Sequence, residues 1–194
     1  MKVGLFFGSF NPIHIGHLII ADYIAQYSDL QEIWLVVSPH NPLKNKATLA
    51  RDHDRLHLVQ LAIEDNPRLK ASGIEFLLPK PSYTIDTLTY LHEKYPEKEF
   101  SLILGSDNLE SLHKWKNYEI LLNNYDFYIY KRRNYEDFSQ KNMERIIFMD
   151  APLLDISSTM VRERINAGKS IRYLVPDPVC YYIENSNMYK SMKR

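Results

Sequence analysis

The chain has 194 residues, a length that suits one domain with its own hydrophobic core, and we expect a single domain over residues 1–194. Its formal net charge of +0 argues against a nucleic acid or a membrane surface as a partner. The single cysteine, Cys180, excludes an internal disulfide, and no apolar run is long enough for a signal peptide or a membrane span, so we expect a cytoplasmic protein.

Short apolar runs alternate with helical patterns along the chain. Several of the apolar runs are almost continuous, as in strands that are buried on both faces of a sheet. The alternation predicts an α/β fold with a doubly wound, mostly parallel sheet and helices on both faces. We predict strands at 2–7, 32–37, 72–78, 99–104, 125–130 and 145–149, and helices at 16–27, 51–65, 84–95, 107–122, 158–167 and 176–185.

The string GSFNPIHIGH, residues 8–17, follows the first predicted strand directly. Loops after such strands line the ligand crevice of an open α/β sheet. Gly8 allows a ligand to approach the backbone closely, and His14 and His17 can face the same way at the start of the next helix. Because a helix N-terminus is electropositive, imidazoles there predict a phosphate site. Taken alone, the string also fits a tight turn with two surface histidines.

A second anion site is indicated near the predicted helix at 158–167, in the string DISSTMVRERINAGKS. Ser157 or Ser158 suits the N-cap, and Gly168 suits the residue after the helix. Arg162 lies in the early turns, where a cation opposes the helix dipole, and a bound anion would remove that conflict. The alternative is an ordinary capped helix with Arg162 in solvent.

Both strings resemble motifs of the HxGH nucleotidylyltransferase superfamily, in the order found there. GSFNPIHIGH matches G-[ST]-F-[DN]-P-x-H-x-G-H, although Phe7 stands where relatives often have glycine, and ISSTMVR matches I-S-S-T-x-x-R. The resemblance implies a Rossmann-like fold and transfer of a nucleotidyl group onto a phosphate-bearing acceptor. It implies catalytic roles for His14, His17, Lys44 and Arg162, and ATP contacts from Gly8, Ser9, Phe10, His14, His17, Gly105, Asp107, Ile156, Ser157, Ser158 and Arg162.

Two strings in the middle of the chain, PSYTIDTLTYL (81–91) and LGSDNLESLHKWKNYEILL (104–122), resemble the nicotinate-nucleotide adenylyltransferases within that superfamily, as does RYLVPDPVCYYI (172–183). From the residue types alone, Asp107 can accept from ribose hydroxyls or cap a helix, and Trp115 can stack on a ring or pack in the core. The resemblance implies that nicotinate mononucleotide contacts Ser9, Lys44, Ser82, Tyr83, Thr84 and Trp115. Lys44 ends the string HNPLK, in which Leu43 replaces the usual histidine.

The implied reaction joins ATP and nicotinate mononucleotide to give deamido-NAD and pyrophosphate, a step of NAD biosynthesis. The mononucleotide phosphate, whose second pKa is near 6, is already ionised and attacks the ATP α-phosphorus directly. We expect Mg²⁺ to arrive with ATP and no metal site on the protein. The expected partners are the two nucleotides, with no nucleic acid and no membrane. The sequence does not decide between a monomer and a homo-oligomer.

Four alternative functions remain open from the sequence. The acceptor can be phosphopantetheine or nicotinamide mononucleotide instead. The chain can be a nucleotide-binding sensor without catalysis, or an RNA-interacting module, because one class of tRNA synthetases shares an H-x-G-H string.

His53 and His57 have the i, i+4 spacing of metal ligands, but a surface helix explains them as well. His40 and Arg132 are left without a role.

Overall fold

The computed structural model describes residues 1–39, 49–109, 111–131 and 144–190. The strands are β1 (Lys2–Gly8), β2 (Glu32–Val37), β3 (Leu69–Ser72), β4 (Glu99–Gly105), β5 (Phe127–Tyr130) and β6 (Ile146–Met149). They form a central parallel sheet with the strand order β3-β2-β1-β4-β5-β6. The order reverses between β1 and β4, and ligands bind beyond the carboxyl ends of strands at such a switch point.

Helices cover both faces of this sheet, because successive strand residues point to opposite sides. The helices are α1 (Ile15–Tyr27), α2 (Asp52–Ala62), α3 (Thr84–Lys94), α4 (Ser106–Leu109), α5 (Tyr118–Asn124), α6 (Ser158–Asn166) and α7 (Asp177–Glu184). Phe6 of β1 packs into a core beneath α1, α2, α6 and α7, whereas Val3 and Leu5 pack into a second core beneath α3 and α5. The predicted doubly wound α/β fold is thereby confirmed.

Two predicted elements are wrong. The strand expected at 72–78 lies earlier, at Leu69–Ser72, and Ile74–Leu77 forms a 3-10 helix that turns Glu75 into the interior. The helix expected at 107–122 is split into α4, a 3-10 helix and α5, because Asn117 has a left-handed φ of 54° that an α-helix does not accommodate. In the described ranges, no helix is both long and apolar enough to cross a bilayer.

Candidate active site

The loop after β1 owes its shape to two aromatic side chains that pack over its glycines. Phe10 is 1% exposed and has a φ of 41°, and a Cβ atom on Gly8 would lie 2.8 Å from its ring. At the helix start, a Cβ atom on Gly16 would lie 3.1 Å from Nδ1 of His14. The glycines of the motif therefore leave room for these rings, in addition to any ligand that approaches the backbone.

The two histidines of the loop form a stacked pair at the N-terminus of α1. Their ring centroids are 3.7 Å apart, and the edges of Phe6 and Phe10 contact His17. The backbone N–H of His14, which is the N-cap residue, donates to Nδ1 of His17 at 3.3 Å. Since Nδ1 accepts this bond, the proton of the neutral His17 ring is on Nε2, where it can be donated to an anion.

The start of α6 contacts the first loop directly, although the two segments are far apart in the sequence. Arg162 Nη1 donates to the carbonyl of Asn11 at 2.8 Å, and the Ser158 hydroxyl donates to the carbonyl of Pro12 at 2.8 Å. Ser157 is the N-cap, and its Oγ accepts from the Met160 N–H. The structure thus brings the two predicted phosphate-binding segments together, as the resemblance implies.

The structure also places three further residues of the predicted ATP site. Ile156 precedes α6, and its Cβ atom is 4.0 Å from the position of a Cβ atom on Gly16. Gly105 ends β4, the neighbour of β1 across the switch point. Asp107 lies within α4 rather than ahead of it, so it does not occupy the N-cap position, and it accepts from the Asn108 side-chain amide at 3.2 Å.

Three of the residues predicted to bind the acceptor, Ser82, Tyr83 and Thr84, lie at the start of α3. Tyr83 is its N-cap and Thr84 its first residue. Lys116 connects this point to the segment after β4: its Nζ lies 2.9 Å from both carboxylate oxygens of Asp86 and 5.0 Å from the centre of the Tyr83 ring. Trp115 is half-buried and packs against the core on the α3 side.

Several predicted residues fall outside the described ranges. Lys44, the neighbouring Leu43 and His40 belong to 40–48, and Arg132 belongs to 132–143. The role implied for Lys44 therefore stays a prediction.

Arg55 is a buried charged residue in contact with the first loop, and the sequence analysis missed it. It is fully buried in α2, and it donates to the carbonyls of Ser38 (2.9 Å), Pro39 (3.2 Å) and Ala50 (3.0 Å) and to that of Ser9 in the first loop. Burial lowers the pKa of Arg55, and the Asp52 carboxylate, 2.7 Å away, opposes that shift. The signal was available: Arg55 lies three and four residues before the buried Leu58 and Val59, on the apolar face of the helix.

Glu75 is a second missed residue, buried to 3% exposure. Its carboxylate accepts from the hydroxyl of Thr87 at 3.0 Å. Burial raises the pKa of Glu75, and the hydroxyl groups of Ser38, Thr87 and Ser82 oppose that shift by favouring the anion. A lone carboxylate within the apolar string GIEFLL was the available signal.

His53 and His57, which have the spacing of metal ligands, both lie on α2 and contact aromatic side chains. His53 contacts the ring of Phe76 edge-on, and His57 contacts that of Tyr182. Within the described ranges, no group of three or more His, Cys, Asp or Glu side chains is arranged to hold a metal ion. These contacts favour packing roles on α2 for both histidines.

Comparison with known proteins gives a consistent result. A family model described as cytidylyltransferase-like matches residues 5–164. A protein of Flavobacterium psychrophilum named "Probable nicotinate-nucleotide adenylyltransferase" is 56% identical over 192 residues, which cover 98% of this chain and all of that protein. A protein of the same name from Flavobacterium johnsoniae is 54% identical over 192 residues, with the same coverage of both chains.

Solved structures show the same fold. The nicotinic acid mononucleotide adenylyltransferase of Plasmodium falciparum, complexed with NaAD, superposes with a TM-score of 0.81 over 97% of both chains. Its sequence identity to this chain is 22%, so the likeness concerns the fold.

Proposed function

The chain belongs to the cytidylyltransferase-like family and, within it, to the nicotinate-nucleotide adenylyltransferases, and we propose that it joins ATP and nicotinate mononucleotide to give deamido-NAD and pyrophosphate. The observation that carries this proposal is the contact between the first loop and the start of α6, made by Arg162 and Ser158. This contact creates one place at which a triphosphate meets a helix N-terminus, two imidazoles and a guanidinium. One domain in the cytoplasm carries out the whole reaction in this proposal.

The ATP phosphates lie between the first loop and α6 in this proposal. Two helix N-termini, those of α1 and α6, supply positive potential and backbone donors. Arg162 uses two N–H groups on Asn11 and Thr159, and a guanidinium has five, so it can hold the leaving pyrophosphate while it stays anchored. Gly8, Ser9, Phe10, Gly105 and Asp107 contact the rest of the nucleotide.

His17 contributes most to the chemical step. The Nε2–H group of its ring donates a hydrogen bond to the α-phosphate, where negative charge develops as the mononucleotide oxygen attacks. His14, buried beside it, holds the ring of His17 by stacking and by its backbone N–H. The reacting phosphate needs no general base, because it is already ionised at neutral pH. Catalysis consists of positioning and charge neutralisation.

The acceptor binds at the start of α3. Thr84 and the backbone there meet the carboxylate of the pyridine ring, Trp115 stacks on that ring, and Ser82 and Tyr83 complete the pocket with Ser9. Lys44 neutralises the two approaching phosphates. The cationic side chain of Lys116 holds the Trp115 segment against α3.

Mg²⁺ enters with ATP in this proposal. Phosphate oxygens and water would hold it, which suits a hard cation that is reluctant to lose its hydration shell. It would then neutralise part of the phosphate charge.

The experiment that tests this function is pyrophosphate release by the purified protein with ATP and Mg²⁺. Nicotinate mononucleotide, nicotinamide mononucleotide and phosphopantetheine are offered in parallel. We expect a strong preference for the nicotinate substrate. Release with another acceptor would contradict the acceptor assignment, and binding of ATP without release from any acceptor would identify a sensor instead.

A further inference from the structure

Arg55 uses its N–H groups on the protein itself. Its guanidinium donates to one carboxylate, that of Asp52, and to four backbone carbonyls, those of Ser9, Ser38, Pro39 and Ala50. A guanidinium has five N–H donors, so these five bonds leave none for a ligand. Because the side chain is fully buried, water does not replace these bonds when they are lost. Arg55 therefore holds backbone rather than phosphate.

Ala50 connects the same guanidinium to the first loop a second time. Its carbonyl accepts from Arg55 Nε at 3.0 Å, and its N–H donates to Oδ1 of Asn11 at 3.1 Å. Arg55 thus holds Ser9 directly and holds Asn11 through Ala50. Ser9 and Asn11 flank a single residue, Phe10, so both neighbours of Phe10 are fixed to α2 and the segment before it.

Phe10 has a backbone conformation that requires such support. Its φ of 41° lies in the left-handed region, where a bulky residue with a Cβ atom is strained. Strain of this kind persists only when the surrounding structure over-determines the conformation. Since Phe10 is also buried, its neighbours rather than solvent decide its φ. The bonds on Ser9 and Asn11 oppose the relaxation of Phe10 to an ordinary φ.

The turn at Phe10 leads to two of the groups that are proposed to act on the phosphates. The ring of Phe10 packs edge-on against that of His17, with the ring centroids 5.0 Å apart. The carbonyl of Asn11, the next residue, accepts from Arg162 Nη1 at 2.8 Å. A change of φ at Phe10 would move both the ring and the carbonyl. The positions of His17 and Arg162 therefore depend on the same turn.

We propose that Arg55 is a positioning residue for nucleotidyl transfer, which holds Phe10 in its left-handed conformation and thereby orients His17 and Arg162 toward the ATP phosphates. The proposal rests on the function proposed above. Arg55 touches no reacting atom and acts through the backbone of the first loop. A displacement of about 1 Å at a reacting centre can cost about 100-fold in rate, so the loss of these bonds affects the chemical step.

The first test compares Arg55→Lys with Arg68→Lys in steady-state kinetics. Lysine keeps a positive charge near Asp52, but its three donors share one atom and cannot serve four carbonyls. We expect Arg55→Lys to lower kcat at least about 10-fold and to change the KM for ATP less than about 3-fold. Arg68 donates to the carbonyls of Leu30 and Gln31 at the amino end of the sheet, so Arg68→Lys should keep kcat.

A second pair of variants leaves the buried arginine in place. Asn11→Ala removes the side-chain acceptor of the Ala50 N–H, and Asn66→Ala removes an acceptor at the same distance of 3.1 Å, that of the Arg68 N–H. We expect Asn11→Ala to lower kcat about 3- to 10-fold and Asn66→Ala to keep it. This pair decides the outcome if Arg55→Lys does not fold.

The ring of His17 reports on the turn independently of activity. Its Nδ1 accepts from the backbone N–H of His14, so the neutral ring has its proton on Nε2. Nitrogen-15 NMR of histidine-labelled protein near pH 8 distinguishes the two tautomers, and the signals of His17 are those that His17→Ala lacks. We expect Arg55→Lys and Asn11→Ala to populate both tautomers. Arg68→Lys and Asn66→Ala should leave the tautomer unchanged.

These results separate the two proposals. If the wild-type protein releases pyrophosphate and the folded Arg55→Lys and Asn11→Ala variants keep the wild-type kcat or the wild-type tautomer, only the positioning role of Arg55 is wrong. The role is also wrong if Arg68→Lys and Asn66→Ala, at an equal loss of Tm, slow the reaction equally. If the folded wild-type protein is inactive with every acceptor, the proposed function fails, and the positioning role in catalysis fails with it.

Discussion

The two ends of the parallel sheet use charged side chains in different ways. At the carboxyl end, Arg55 and Glu75 are buried and hold the loops through backbone carbonyls and hydroxyls. At the amino end, ion pairs such as Lys2–Asp29 and Arg145–Asp126 keep contact with solvent. Water can replace a partner that is lost at the amino end, whereas at the carboxyl end a lost partner leaves a buried polar group unsatisfied. Replacements should therefore matter far more at the carboxyl end.

The largest expected effect is that of Arg55→Met. Methionine fills similar space but leaves the carbonyls of Ser9 and Ser38 without this buried donor and leaves Asp52 paired with Lys80 alone, so the free energy of unfolding should fall by about 3–5 kcal/mol. Lys2→Met, at the amino end, should shift the urea midpoint much less. Urea denaturation of both variants measures the difference, and equal midpoints would remove the contrast between the two ends.

His17→Ala should lower kcat by about 10²- to 10³-fold, because it removes the donor to the charge that develops in the transition state. His92→Ala is the matched control. His92 lies in the last turn of α3, near the amino end of the sheet, and its ring packs on those of Phe100 and Tyr125. This variant should leave kcat unchanged. Steady-state kinetics on folded proteins decides, and near-normal turnover by His17→Ala would refute the catalytic role.

Trp115 and Trp34 allow the same comparison between the carboxyl and amino ends of the sheet. Trp115→Ala should raise the KM for nicotinate mononucleotide about 10-fold and change that for ATP little, since a stacked ring contributes about 1–3 kcal/mol. Trp34 contacts Tyr95 and Phe100, so Trp34→Ala should lower Tm and leave both KM values in place. Equal changes of both KM values in Trp115→Ala would contradict the stacking assignment.

The smallest effect is a pH dependence of opposite sign at the two ends. Burial raises the pKa of Glu75 above 4.5, so its contribution to stability falls as pH rises from 4.5 through the folded pKa. Hydrogen bonds from Lys2 and Tyr128 lower the pKa of Asp29 below 3.8, so its contribution is present above 3.8 and is lost as pH falls through the folded pKa.

Thermal unfolding between pH 3 and pH 8 tests this pair of signs. The Tm of wild type minus that of Glu75→Gln should decrease as pH rises. The Tm of wild type minus that of Asp29→Asn should decrease as pH falls. If both differences in Tm change in the same direction with pH, the opposite pKa shifts of Glu75 and Asp29 are contradicted.

Much of the site was predictable because its motifs are local. The string at residues 8–17 combines a strand end, glycines and a helix start, and each of these depends on neighbours in the sequence. The same holds for the N-cap Ser157 and for the left-handed Gly168 after α6. The pairing of these two segments followed from the family resemblance rather than from any local rule.

The sequence by itself determined the α/β alternation and the local motifs, since apolar periodicity, glycines and caps act over a few residues. Only the tertiary structure decided which groups the side chains of Arg55 and Glu75 contact, because their partners come from other segments of the chain. It likewise decided that residues 107–122 break into short helices around Asn117, where Trp115 and Lys116 pack against α3. Partners that are distant in the sequence leave no periodic signal, so these features appear only once the chain is folded.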